Sequence, residues 1–393
     1  MRGADRLLEA IDRDRIARRA LELVAIPSPT GQTRVVSEFF ANVYRELGCD
    51  VQVMDDIPSA PKGTDAPAVA AYLRGGDGPT LQLDGHYDTV PVEHTPAGIV
   101  DGVLHGRGAA DMKGGVAAIM EAVSAFVDAG IGLPGDLLLT GHGLHEAPTG
   151  HGEGLKALIA AGHIGEEAIV AEGPSRILAV AGRGMAIYNV TITGHEESNH
   201  ENSTPPGTPH PLVAAGELLV ALERERERLS TDERPGVGPE TLFVGQVHGG
   251  DFYNRFPTAC AMQGTRRYFA DHSFDDVVAE FCAIASGVAE KTGTRIEVEF
   301  DRIRDGFELR EDDRVVKAFS RAYERVDGGA PEHGGFPSVG DASILFGEGR
   351  IPALYAGYDG YGAHGDHESV SINELVRLAE ILTLSIAAFY GIE

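Results

Sequence analysis

The sequence is poor in cysteine and poor in positive charge. Its 393 residues include three cysteines, Cys49, Cys260 and Cys282, which lie far apart. They form neither a zinc-binding cysteine pair nor a disulfide framework. Lysine and arginine number 33 against 60 aspartates and glutamates, a formal net charge of −27. So acidic a chain repels nucleic acid and anionic membranes, which excludes both as expected partners. No apolar run approaches the roughly 18 residues of a membrane span. The opening segment, MRGADRLLEAIDRDRIARRA, is charged throughout and has no apolar centre for a secretion signal. Internal repeats and low-complexity tracts are missing as well. These absences point to a cytoplasmic enzyme.

What is present is an ordinary globular composition, 42 % apolar, on a chain long enough for two domains of roughly 100–200 residues each. The first half alternates helix and strand. Residues 5–25 and 31–47 read as helices, and VQVM, AVAAYL and TLQLDG as strands. Asp111 opens the apolar-faced helix MKGGVAAIMEAVSAFVDAG, which Gly130 closes, and the strands GDLLLT and EEAIVA flank another helix, GEGLKALIAAG. Such alternation predicts an α/β fold, a mostly parallel, doubly wound sheet with helices on both faces. After Gly184 the order becomes β-α-β-β-α-β, the ferredoxin-like arrangement. The first pattern then returns in EDDRVVKAFSRAYERV and IPALYAG. The expected division is a discontinuous catalytic domain, residues 1–184 and 305–393, with an inserted ferredoxin-like module, residues 185–304.

Four strand ends carry the chemistry. TLQLDG runs into His86 and Asp88, LLLT into His145 and Glu146, AIVA into Glu172, and PALYAG into a loop with His364, His367 and Glu368. In an open α/β sheet, ligands bind in the crevice beyond the carboxyl ends of the strands. Asp111 starts a helix, where its carboxylate either caps the helix or faces the same crevice. Singly, a His-x-Asp is an ordinary surface pair and Asp111 an ordinary cap. Jointly, imidazoles and carboxylates without cysteine suit zinc, manganese or cobalt.

The motifs LDGHYDTVP, GRGAADMKGG, VAEGPS and AHGDHESV, in this order, resemble those of one superfamily of metallohydrolases. It comprises aminoacylase, acetylornithine deacetylase, succinyl-diaminopimelate desuccinylase and carboxypeptidase G, and is peptidase family M20-like. The resemblance covers nearly the whole chain. It implies that His86 binds one metal, that Asp88 hydrogen-bonds the other nitrogen of that imidazole, and that Asp111 bridges two metals. Glu172 then shares a metal with His86, and His364 holds the other. The inserted module becomes a lid and dimerisation domain. In it, His200 resembles a histidine that reaches across a dimer to steady the reacting oxygen, with His195 as a competitor. Asn254 and Arg267 resemble groups that hold a substrate carboxylate. Arg266, the strand neighbour of Arg267, points to the opposite face. The implied partners are a small carboxylate-bearing substrate and a second copy of the chain, as a homodimer or higher homo-oligomer. The implied cofactor is one or two divalent ions, zinc first, with manganese or cobalt as alternatives.

The segment LTGHGLHEAPTGHG (residues 139–152) departs from the family, which places two adjacent glutamates there, a proton shuttle and then a metal ligand. This chain has His145-Glu146-Ala147. In one register Glu146 is the ligand and His145 stands at the shuttle position. In the other, Glu146 is the shuttle and a ligand is missing, so that His145 lies beside the substrate or substitutes at the metal. Family spacing to a downstream glycine is five positions from the second glutamate, and Ala147, not Glu146, lies five before Gly152. That spacing makes Glu146 the general acid/base. The resulting expectation is a metal-dependent hydrolase that cleaves an amide C–N bond of an N-acyl amino acid or short peptide. A hydrolytic deaminase acting on an aromatic amine is the alternative, and an inactive binding protein on the same fold a third.

Overall fold

The structure, a computed structural model, describes residues 3–392. The chain divides into two compact units, one of Met1–Val180, Glu308–Phe336 and Gly340–Glu393, the other of Ala181–Phe307 with Pro337–Val339. The piece Pro337–Val339 is remote in sequence from the rest of its unit. The Pro337 carbonyl accepts hydrogen bonds there from Arg183 Nη2 at 3.2 Å and Arg267 Nη1 at 3.4 Å.

The first unit is built on a mixed sheet with parallel central strands. Gly135–His142, Gly78–His86, Glu167–Val170 and Ala353–Tyr355 lie side by side in that order, each parallel to the next. Antiparallel strands extend both sides, with Ala68–Leu73 and then Asp50–Met54 at one edge and Ile177–Gly182 towards the other. The central strands are almost continuously buried, as expected of parallel strands covered on both faces. A Cβ on Gly85 would meet Met112 and Val116, and one on Gly141 would meet Phe40. Those glycines therefore face the helices Lys113–Ala129 and Arg34–Glu46. Alternate residues point to the other side, so Asp84, His86, Thr140 and His142 share the face on which the helices Glu153–Ala160 and Asp341–Gly347 lie. The helix Ile372–Tyr390, buried along most of its length, packs against Lys113–Ala129 and Arg314–Asp327.

Residues 5–25 do not form one helix. Two are present, Gly3–Glu9 and Arg13–Ala25. The Asp12 carboxylate accepts from the backbone N–H of Asp14 and Arg15, so an internal N-cap ends one helix phase and starts another.

The second unit has a four-stranded antiparallel sheet in the order Thr241–Gly249, Ala259–Tyr268, Gly184–Thr193, Arg295–Arg304. With the helices Pro211–Leu229 and Phe274–Thr292, the chain order is β-α-β-β-α-β. Burial alternates along Gly184–Thr193, as a sheet covered on one face requires. Tyr188, Val190 and Ile192 pack there against Leu218, Leu222 and Phe281 of the helices. Among the described residues, no helix is long and apolar enough to cross a membrane.

Candidate metal centre

In the first unit, the strand ends and one helix start bring their functional side chains together. His86 closes its strand and is fully buried. Its Nδ1 lies 3.1 Å from the Asp88 carbonyl and 3.4 Å from Asp88 Oδ1. Its Nε2 lies 3.2 Å from Asp111 Oδ1. Asp111 turns its other oxygen, Oδ2, to His364 Nε2, also at 3.2 Å. His364 Nε2 is 2.9 Å from Glu146 Oε1. One carboxylate thus faces two imidazoles from two sides, with Glu146 beside the second.

The donor atoms fit a cation. His86 Nε2, Asp111 Oδ1 and Glu172 Oε2 are buried, and none is satisfied by a hydrogen bond. The 3.2 Å approach of the first two lacks hydrogen-bond alignment, so both aim at shared space rather than at each other. Single atoms of His86, Asp111 and Glu146 lie within 4.8 Å of one another, as do atoms of His86, His145 and Glu172. A Cβ on Gly340 would stand 3.2 Å from Glu172 Oε2, so this position has room for little more than glycine.

Electrostatics agree. Burial opposes charge on His86, but the close approach of Asp111 and Asp88 outweighs it and raises the imidazole above its ordinary value. Hydrogen bonds to Asp111 and Glu146 raise His364 to about 10. Burial and the Asp111 charge push Glu172 up to about 7, while Asp111, despite its burial, is held well below the carboxylate range by His364 and His86. Such a set stabilises positive charge, whether it arrives as protons or as a divalent ion.

His145 stands against the plane of His86, with ring centroids 3.9 Å apart and planes 7° from parallel. Its Nδ1 is 2.9 Å from Asp341 Oδ1. Asp88 Oδ2 accepts from the backbone N–H of both His145 and Glu146 at 3.0 Å, which ties the loop to the His86 strand end. The loop closes on itself, with Gly150 N–H donating to Glu146 O and Gly152 N–H to Leu144 O.

The residues expected in the second unit fall into two groups. His200 and Asn254 are exposed or partly exposed and touch, Asn254 Nδ2 lying 3.3 Å from His200 Nε2. His195 Nδ1 is engaged with its own loop at Glu197. Arg267 reaches Pro337, whereas Arg266 is buried in an ion pair with Glu240 on the other face.

Two further acids help build the centre: Asp341, which lies outside the family-like motifs, and Glu368, which lies within AHGDHESV without an expected role. Asp341 opens the helix Asp341–Gly347 and is fully buried. The same cue as at Asp111, an acid opening an apolar helix, marks it in GDASILF. Glu368 is 1 % exposed and pairs with Arg107 at 2.8 Å. It also accepts from Ala110 N–H at 2.9 Å and Asp111 N–H at 3.0 Å. His367, beside it, is exposed.

Known proteins share this architecture. The family model described as Peptidase family M20/M25/M40 matches residues 82–388. N-formyl-4-amino-5-aminomethyl-2-methylpyrimidine deformylase of Halalkalibacterium halodurans is 25 % identical over 435 residues, covering 96 % of this chain and 95 % of its own. Succinyl-diaminopimelate desuccinylase of Rhodospirillum centenum is 28 % identical over 383 residues, covering 92 % and 94 %. The crystal structure of aminopeptidase PepT from Bacillus cereus has a TM-score of 0.82 at 23 % identity, covering 97 % of this chain and 99 % of that one. A dinuclear metal-binding M20 peptidase of Bacillus subtilis has a TM-score of 0.74 at 16 % identity, covering 97 % and 99 %. At these identities the structural likeness is one of fold. The sequence match, which spans His86, Asp111, Glu146, Glu172 and His364, makes the chain a member of peptidase family M20/M25/M40.

Proposed function

We propose that the protein is a metal-dependent hydrolase that cleaves an amide C–N bond in a small carboxylate-bearing molecule, such as an N-acyl amino acid or short peptide. The observation that carries this reading is Asp111, with Oδ1 turned to His86 and Oδ2 to His364. His86, Asp111 and Glu172 would hold one divalent ion, and Asp111, Glu146 and His364 a second, with zinc first and manganese or cobalt as alternatives. When bound, such ions supply Lewis acidity to a carbonyl and acidify water toward neutral pH.

The chain's own groups do the rest. Asp88 fixes the His86 tautomer and, through two backbone N–H groups, the loop of His145 and Glu146. The geometry supports the register in which Glu146 is a ligand, because its carboxylate lies against His364. The spacing to Gly152 favoured Glu146 as the shuttle. It is a poor guide here, because the loop from Leu144 to Gly152 folds back on itself and its length is free of the sheet. In this reading His145 Nε2 takes a proton from the attacking water and returns it to the leaving nitrogen. For the second unit we propose that His200 of a second copy steadies the developing oxyanion and that Asn254 helps hold the substrate carboxylate. Arg267 would hold the substrate carboxylate through its planar fork, with Arg183 as a second guanidinium on the same carbonyl.

The deformylase and desuccinylase names of the relatives support acyl C–N cleavage over an aromatic aminohydrolase. The test is direct. Purified protein should carry two divalent ions per chain and lose hydrolysis on chelation. Activity should return with zinc, manganese or cobalt, and one acid and one amine should appear per turnover from N-acyl amino acids or dipeptides. A metal-loaded protein that releases only ammonia from aromatic amines would overturn the reading.

A two-fold dimer is also proposed. Thr241–Gly249 is the edge strand of the second unit's sheet, and on it Phe243 is 62 % and Val247 41 % exposed. An open edge with exposed apolar side chains invites pairing with a second copy. Phe243→Lys should shift the light-scattering mass from dimer to monomer without unfolding the first unit. A wild-type protein that is monomeric at micromolar concentration would contradict the dimer.

A further inference from the structure

Behind the metal centre, the same sheet face carries a buried polar chain that the reading above leaves unused. Gly165 N–H donates to Gln82 Oε1 at 3.0 Å, and Gln82 Nε2 to Thr140 Oγ1 at 2.9 Å. Thr140 Oγ1 donates to Asp84 Oδ1 at 2.5 Å. Asp84 Oδ2 is 3.5 Å from His142 Nε2, and that nitrogen is 3.5 Å from Asp341 Oδ2. Asp341 Oδ1 then meets His145 Nδ1 at 2.9 Å. Asp84, His142 and Asp341 are all fully buried.

Two ionised carboxylates in a dry interior cost several kcal/mol each unless a cation or proton compensates them. His142 is the group placed to do so. Its Nε2 lies 3.5 Å from an oxygen of each carboxylate, hydrogen-bonded to Asp84 Oδ2 and in ion-pair range of Asp341 Oδ2, so an N–H there serves both charges. The consequence for His145 follows from the same inventory. An ionised Asp341 accepts only, so Nδ1 of His145 must carry the proton and Nε2 the lone pair. A histidine with the opposite tautomer presents an N–H to the reaction and takes no proton from water.

We propose that Asp341, braced by His142 and Asp84, is a positioning residue that fixes the tautomer and ring orientation of His145 for proton transfer at Nε2. This rests on His145 being the proton carrier. The chain Asp84–His142–Asp341–His145 joins two strand ends to a helix start 196 residues away from His145. Its hydrogen bond into the centre is the one from Asp341 to His145, while the Asp341 charge also reaches His86 and Glu172. A substitution at Asp341 is therefore read in two backgrounds, with and without His145.

Asp341→Asn keeps the shape and presents an amide where an acceptor stood. The expected result is retention of both ions, KM changed by less than about threefold, and kcat lowered by about 10²-fold or more. In a His145→Ala background the same substitution should change kcat by no more than about twofold, because residues acting through one another are not additive. In the metal-free protein, ¹⁵N spectra should show His145 protonated at Nδ1, and Asp341→Asn should move the proton to Nε2. Equal losses in both backgrounds, or an ion bound by Asp84, His142 and Asp341 and lost on substitution, would overturn the relay but leave the hydrolase standing. If His145→Ala alone retains the wild-type kcat, the proton-carrier reading falls, and the relay with it. If Asp341→Asn does not fold, the wild-type spectrum still decides: a His145 protonated at Nε2 overturns the proposal.

Discussion

Substitution of His145 by alanine is expected to lower kcat by about 10²–10⁴-fold with both ions still bound, the usual contribution of a positioned proton carrier. Glu146→Gln is expected to behave differently. It should weaken the ion on the His364 side by at least about 10²-fold, since an amide oxygen replaces a carboxylate at a ligand position. The reason is positional. Glu146 Oε1 lies 2.9 Å from His364 Nε2, and the carboxylate is almost fully buried among groups that favour positive charge. His145 lies on the other flank, stacked on His86 and tied to Asp341. Metal content per chain and single-turnover rates on the two variants separate the roles. If Glu146→Gln keeps two ions and loses the rate while His145→Ala is mild, Glu146 is the proton shuttle after all, as the spacing to Gly152 suggests.

What could be read from the sequence follows the range of each signal. His86 and Asp88, Asp111 and Glu172 sit in short motifs at strand ends or a helix start, where one strand or helix sets the geometry, whereas His364 sits in a short motif within a loop. The β-α-β-β-α-β order after Gly184 was equally legible, because its elements run to nine residues or more, long enough for a period to show in most of them. Pieces shorter than a period were not. The strands Gly98–Val100 and Val103–His105 pair with Gly360–Tyr361 and Ser369–Ser371 in a small sheet that brings the His364 loop beside the Asp111 turn. Strands of two or three residues carry no alternation to detect. Pro337–Val339 belongs to the second unit through hydrogen bonds from Arg183 and Arg267, which no local pattern encodes. Asp341 and Glu368 matter because of partners 196 and 261 residues away. An acid in GDASILF or GDHESV says nothing of such partners.

Glu368→Gln is expected to destabilise the fold by about 3 kcal/mol and to weaken metal binding by about 10–100-fold. Glu368 is 1 % exposed, and its Oε2 pairs with Arg107 Nη1 at 2.8 Å. Arg107 is itself mostly buried, and its Nη2 donates to Gly365 O at 2.7 Å and its Nε to Val92 O at 3.5 Å, so loss of the carboxylate leaves a guanidinium charge with neutral acceptors alone. Breaking one side of a buried pair costs more than the pair contributes, because the remaining charge stays desolvated. The other oxygen, Oε1, accepts from the backbone N–H of Ala110 and Asp111. Glutamine keeps both of these bonds only by turning its NH2 against the Arg107 guanidinium, and keeps an acceptor for Arg107 only by turning that NH2 against the two N–H donors. The turn that presents Asp111 would then loosen, and in the proposed reading both ions depend on Asp111. Urea unfolding of the metal-free protein reads the first effect and zinc titration the second. A variant with the wild-type urea midpoint and wild-type zinc affinity would mean that the short sheet alone, without Glu368, holds the Asp111 turn in place.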